Sequence, residues 1–168
     1  MKKASFFHLC RKQLLAYSLV GIAAWLAACG KGNGYGGDNP PPGNTNYSIS
    51  ASLSGTQEVP ANATTGSGML TGTYDPSSYT ITYTLSWTGI TGVPTGMHFH
   101  GPAASGQNAA VAVAITGFTA ATAGSTYGTT VITAAQGADL IAGKWYVNIH
   151  TAAYGNGEIR GQITSTKN

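Results

Sequence analysis

Tyr79 to Trp87 reads YTITYTLSW, and it alternates without a fault. Tyr79, Ile81, Tyr83, Leu85 and Trp87 fall on one face, with Thr80, Thr82, Thr84 and Ser86 on the other. A period of two is that of a β-strand with one side on a core and one in solvent, because successive side chains leave a strand in opposite directions. The residue types agree, since β-branched and aromatic side chains fit a pleated surface.

The same pattern recurs on both sides of this stretch. NYSISASLSG turns Tyr47, Ile49, Ala51 and Leu53 to one face, and AAVAVAITGF does so with Val111, Val113 and Ile115, leaving alanines opposite. KWYVNIHT and GEIRGQIT are two further strands, joined by AAYGNG, in which Asn156-Gly157 is a turn signal. Only TAAQGADLIAG has a helical pattern, and it is short. Many short strands separated by glycine-rich turns predict an all-β domain, a Greek-key sandwich or barrel with at most one short helix, over residues 46–168.

The N-terminal part reads differently. MKKASFFHLCRK carries Lys2, Lys3, Arg11 and Lys12 and is followed by the uncharged run QLLAYSLVGIAAWLAA. A basic region, an apolar region and small residues before a cut site are the layout of an export signal. The run is shorter than the roughly 18 apolar residues of a spanning helix. Leu26-Ala27-Ala28-Cys29 then resembles the lipobox of bacterial lipoproteins, which implies a signal peptide over residues 1–28 and lipid on Cys29. The segment 29–45, containing GKGNGYGGDNPPPGNT, is rich in glycine and proline without apolar periodicity and reads as a tether. The expected location is the envelope, attached to a membrane through Cys29. Gly30 in place of the aspartate that holds such proteins at the inner membrane points to the outer one.

Charge and cysteine usage follow from this division. The whole chain has 8 Lys and Arg against 5 Asp and Glu, a formal charge of +3. Four of those cations sit in the signal, so the remainder is near neutral and carries no electrostatic footprint for nucleic acid. Both cysteines, Cys10 and Cys29, precede the domain, which therefore has no disulfide and no thiolate ligand.

Several motifs together resemble the CHRD domain, the module named after chordin and present in bacterial exported proteins. They are LSGTQEVP (53–60), GSGMLTGTYD (66–75), MHFHGPA (97–103) and GKWYVNIHTAAYGNGEIRGQI (143–163). The resemblance implies an immunoglobulin-like or superoxide-dismutase-like β-sandwich, and for function a binding module without a defined reaction.

Histidine is rare here, four in 168 residues, and three of the four lie in these motifs. In an extended strand His98 and His100 leave the same face while Phe99 leaves the other. A His-X-His strand with a third histidine on a neighbouring strand is also the way copper sites are built in superoxide-dismutase-like sandwiches. By that similarity His98, His100 and His150 would form a three-imidazole set for copper, or less favourably zinc, with Asn148 and Glu158 orienting the rings. There is no fourth histidine in the domain for a second metal, so a two-metal dismutase is excluded by inventory. The competing reading is that the histidines are neutral, packed, and satisfied by backbone, Asn148 and Thr151.

Glu58 and Arg160 are expected to form a structural ion pair locking the first motif to the last. No serine–histidine–aspartate order or phosphate loop is present. Two functions follow: a lipid-anchored binding or structural module facing an envelope protein or polymer, which is the favoured reading, or a mononuclear copper or zinc protein. If the chain were an enzyme, it would be a copper-dependent oxidoreductase.

Overall fold

The computed structural model describes residues 45–168, so the expected signal, Cys29 and nearly all of the tether lie outside the described residues. The elements are β1 (Tyr47–Ser54), a 3-10 turn (Gly55–Gln57), β2 (Ser67–Asp75), β3 (Thr80–Thr88), β4 (Pro94–His100), β5 (Val111–Ile115), β6 (Gly124–Val131), α1 (Ala134–Ile141), β7 (Tyr146–Thr151), β8 (Ile159–Gln162) and β9 (Thr164–Lys167). The all-β expectation holds, with one helix.

The strands form a single antiparallel sheet in the order β5-β4-β7-β8-β1-β2-β3-β6, with β9 also on β1. Its two halves touch narrowly, through Ser54 opposite Arg160. Ile163, between β8 and β9, is fully buried and donates its N–H to the Trp145 carbonyl, so the last strand turns the corner from one half to the other. The inward faces of both halves share one core, which makes the sheet a nearly closed sandwich.

Alternation decides which side chains enter that core. Ile49, Ala51 and Leu53 of β1, Ile81, Tyr83, Leu85 and Trp87 of β3, and Met97 and Phe99 of β4 are buried. On β7 the core takes Val147 and Ile149, with Trp145 just ahead of the strand. Tyr83 meets Phe99 edge-on, ring centroids 5.0 Å apart at 82°, an arrangement the aromatic quadrupole favours. Facing Tyr83 on β6 is Gly128, where an added Cβ would run into the phenol ring, so the glycine makes room for the tyrosine.

Two expectations fail locally. Tyr79 is not on the apolar face of β3: it is 41% exposed, with φ of 55°, in the turn before the strand. Asp75 accepts bonds from the Ser77 N–H and from the hydroxyls of Ser77 and Ser78. Such an aspartate turn ends β2 and delays the strand by one residue. Val111 is 52% exposed, because β5 is an edge strand and its pairing with β4 shifts register between Phe99 and His100. The helix starts as its sequence predicts. Thr133 Oγ1 accepts from the Gln136 N–H while Gln136 returns a bond to the Thr133 N–H, a capping box.

Candidate histidine site

The half-sheet β5-β4-β7-β8 has a second face, turned away from the core, and it is polar. Antiparallel register sets His98 opposite Asn148, His100 opposite Tyr146, and Gly96 opposite His150. On the other side of β7, Asn148 faces Arg160 and Tyr146 faces Gln162. Alternation therefore collects His98, His100, Tyr146, Asn148, His150, Arg160 and Gln162 on one surface while Phe99, Val147 and Ile149 go to the core. Segments following β1 and β4 fold over this surface. They contribute Glu58, Val59 and Pro60 on one side and Gln107, Asn108 and Ala109 on the other.

The three histidines expected to act together do meet. Each offers a ring nitrogen, and these atoms lie within 4.8 Å of one another. His98 Nδ1 is 3.1 Å from His150 Nε2. His100 Nδ1 faces the Ala109 carbonyl at 3.0 Å and His150 Nδ1 faces the Gly155 carbonyl at 3.0 Å. A carbonyl only accepts, so both Nδ1 atoms must carry the proton. The Nε2 atoms of both rings point inward, 3.0 and 3.1 Å from Asn148 Oδ1.

Electrostatics favour neutral rings at two of these positions. Burial lowers the His98 pKa from its ordinary value, helped by the charges His150 and His100 would carry. Burial also lowers that of His100, outweighing its bonds to Ala109 and Asn148.

Asn148 thus fills its expected place beside the imidazoles, whereas Glu158 does not. Glu158 is fully buried, and its two oxygens accept from Thr64 Oγ1 (2.7 Å), Thr91 N–H (2.7 Å), Thr91 Oγ1 (2.9 Å) and Thr151 Oγ1 (2.6 Å). Burial pushes its pKa up, but the threonine bonds outweigh this and hold it below the usual carboxylate value. Glu158 is a structural anion joining two loops to β7. It also takes the Thr151 hydroxyl, which was expected to serve a histidine.

The Glu58–Arg160 ion pair is likewise not a contact. Among the described residues the ion pair within 4 Å joins Lys144 and Asp139. Arg160 instead donates to Asn108 Oδ1 (3.1 Å) and the Gln107 carbonyl (2.7 Å) and lies 3.4 Å from the centroid of the Tyr146 ring. Tyr146 stacks in turn on His100, centroids 4.7 Å apart and planes 3° from parallel. A guanidinium served by a carbonyl, an amide and a π face no longer needs a carboxylate at contact distance. Glu58 feels Arg160 only as a nearby charge.

Glu58 is itself buried, and its Oε1 has no hydrogen-bond partner. Burial raises its pKa to about 7, against the pull of Arg160 and of bonds from Asn148 and the Val59 backbone. Glu58 Oε1 and Asn148 Nδ2 crowd the same side of Gly157, whose φ is 129°. The amide of Asn148 is therefore turned with its donor side to the carboxyl and its carbonyl to the imidazoles. Sequence reasoning missed Tyr146 and Asn108: period two along β7 puts Tyr146 on the face of Asn148 and His150, whereas nothing in the spacing marked Asn108.

Two clefts open at this end. One of about 230 Å³ is lined by Glu58–Asn62 and Ala153–Gly157, the other of about 400 Å³ by Glu58, Pro60, His100, Tyr146 and Asn148 among others. The family model described as CHRD domain matches residues 49–163. No curated protein and no solved structure matches the chain significantly.

Proposed function

We propose, from the premise that the chain belongs to the CHRD-domain family, that it is an exported, lipid-anchored binding or structural module of the bacterial cell envelope. In this reading residues 1–28 are the signal, Cys29 carries lipid, and the tether to residue 45 holds the sandwich away from the membrane, the outer one being preferred. The binding surface is the end where the two polar clefts meet, between the loops 58–62 and 153–157. Its partner is an envelope protein or polymer.

The observation that carries the reading is the extent of the CHRD match, which fills nearly all of the described domain. Residues 1–45 are left with the composition of a signal and a tether rather than of a second folded unit. Lipid contributes a membrane affinity that the glycine- and proline-rich tether does not.

Labelled fatty acid, followed by membrane fractionation, tests the anchor. The native protein is expected to take up label and to sediment with membranes, and Cys29→Ser to do neither. Label that fails to attach to the native chain, or that attaches to Cys29→Ser, would refute lipidation at this position.

A further inference from the structure

Around Asn148 Oδ1, the atoms that face inward are acceptors. Backbone carbonyls claim the Nδ1 protons of His100 and His150, so in the neutral rings both Nε2 atoms are bare lone pairs. Both point at a carbonyl oxygen 3.0 and 3.1 Å away, which is also bare. Turning the amide to offer its NH2 would relieve this, but the donor side of Asn148 is directed to Glu58. His98 can lend one proton from Nδ1 to His150 Nε2, 3.1 Å away. That leaves His100 Nε2 facing an oxygen with nothing between them. A site lined by acceptors is completed by positive charge.

The shape suits a metal ion. Donors around one ion at about 2.0–2.1 Å stand roughly 3.3–3.6 Å from each other. Here the three nitrogens lie within 4.8 Å, with one pair already at 3.1 Å. Small rotations of rings on adjacent, rigidly paired strands close the remaining gap. Two of the three rings are already oriented through their other nitrogen by a backbone carbonyl, the arrangement that metal-ligating histidines adopt. His98 and His150 are partly exposed, which leaves an ion a way in. Gly96, beside the His98 ring, keeps that side free of a Cβ.

We propose that His98 Nδ1, His100 Nε2 and His150 Nε2 form a mononuclear metal site, for copper(II) ahead of zinc. Neutral imidazole suits both ions, and the order of divalent affinities places copper(II) first. On binding, the proton at His98 moves to Nε2 and that ring joins through Nδ1. Asn148 Oδ1 borders the ion, and Arg160 stays on the far side of the Tyr146–His100 stack.

The test uses the full chain without an affinity tag, in detergent, stripped of metal and titrated with copper sulfate and separately with zinc sulfate. One equivalent of copper is expected, with an electron paramagnetic resonance spectrum showing coupling to three imidazole nitrogens. His100→Ala is expected to weaken copper binding by more than about 100-fold and Asn148→Ala by about 10-fold. Tyr127→Ala, exposed on β6 in the other half of the sheet, is expected to leave it unchanged. Absence of a stoichiometric copper ion, or affinity undiminished in a folded His98/His100/His150 triple alanine variant, would overturn the site. Should that variant not fold, the spectrum of the native chain decides: fewer than three imidazole nitrogens refutes the proposal.

Discussion

His98 Nδ1 and His150 Nε2 lie 3.1 Å apart across β4 and β7 although 52 residues separate them in the chain. The contact exists because Gly96 pairs with His150 and His98 with Asn148, so the two rings lean toward each other diagonally across the register.

Acid is expected to destabilise the metal-free domain through this cluster. The pKa values of His98 and His100 are lowered, so the fold favours their neutral forms. The sign follows: their contribution is fully present above the ordinary value of 6.5 and is lost as pH falls through the folded values. Denaturant unfolding at pH 7.5 and 5.5 should show this loss, and His100→Gln should reduce it. An unchanged slope in the variant would contradict the assignment.

Glu58 should act in the opposite sense. Its pKa is raised from 4.5 to about 7, so the fold favours the protonated carboxyl. Stability from this group is fullest below about 4.5 and is lost as pH rises through about 7. The difference between native and Glu58→Gln stability curves isolates the effect. Glu58→Gln is expected to gain relative to the native chain as pH rises from 5 to 8.

Glu158→Gln should be costly, at about 2–4 kcal/mol. It removes a buried anion accepting four bonds and puts an amide donor against the threonine and backbone donors that surround it. Urea unfolding measures the loss. A cost under 0.5 kcal/mol would mean that the Thr64, Thr91 and Thr151 contacts are not formed in solution.

In β3, Ile81→Ala or Trp87→Ala should cost about 2–5 kcal/mol by opening a cavity, because both are buried. Thr82→Ala should cost well under that, since its hydroxyl reaches only Thr129, at 3.5 Å, on the outer face. Equal losses at Ile81 and Thr82 would reverse the assignment of faces, which thermal unfolding can check.

Much of this fold was legible in the alternation itself. YTITYTLSW and NYSISASLSG state which side chains are buried, because a strand has only two faces and burial of apolar area selects one. The start of α1 is equally local, because Thr133 and Gln136 cap one another within a single turn. Tyr79 and Val111 escaped that logic for opposite reasons. An aspartate turn overrode the period at Tyr79, and an edge position left Val111 without a covering layer.

The site divides the same way. That His98 and His100 share a face opposite Phe99 was determined by the sequence, since period two allows nothing else. That His150 stands beside them depended on β4 pairing with β7 in one particular register, a long-range choice made by the packing of Phe99, Val147 and Ile149 in the shared core. The partners of the charged groups were likewise decided only in three dimensions. Glu158 found Thr64 and Thr91, and Arg160 found Tyr146 and Asn108 in place of Glu58. Residue spacing fixes direction along one strand, whereas a buried charge takes whichever donors, acceptors and rings the folded loops bring within reach.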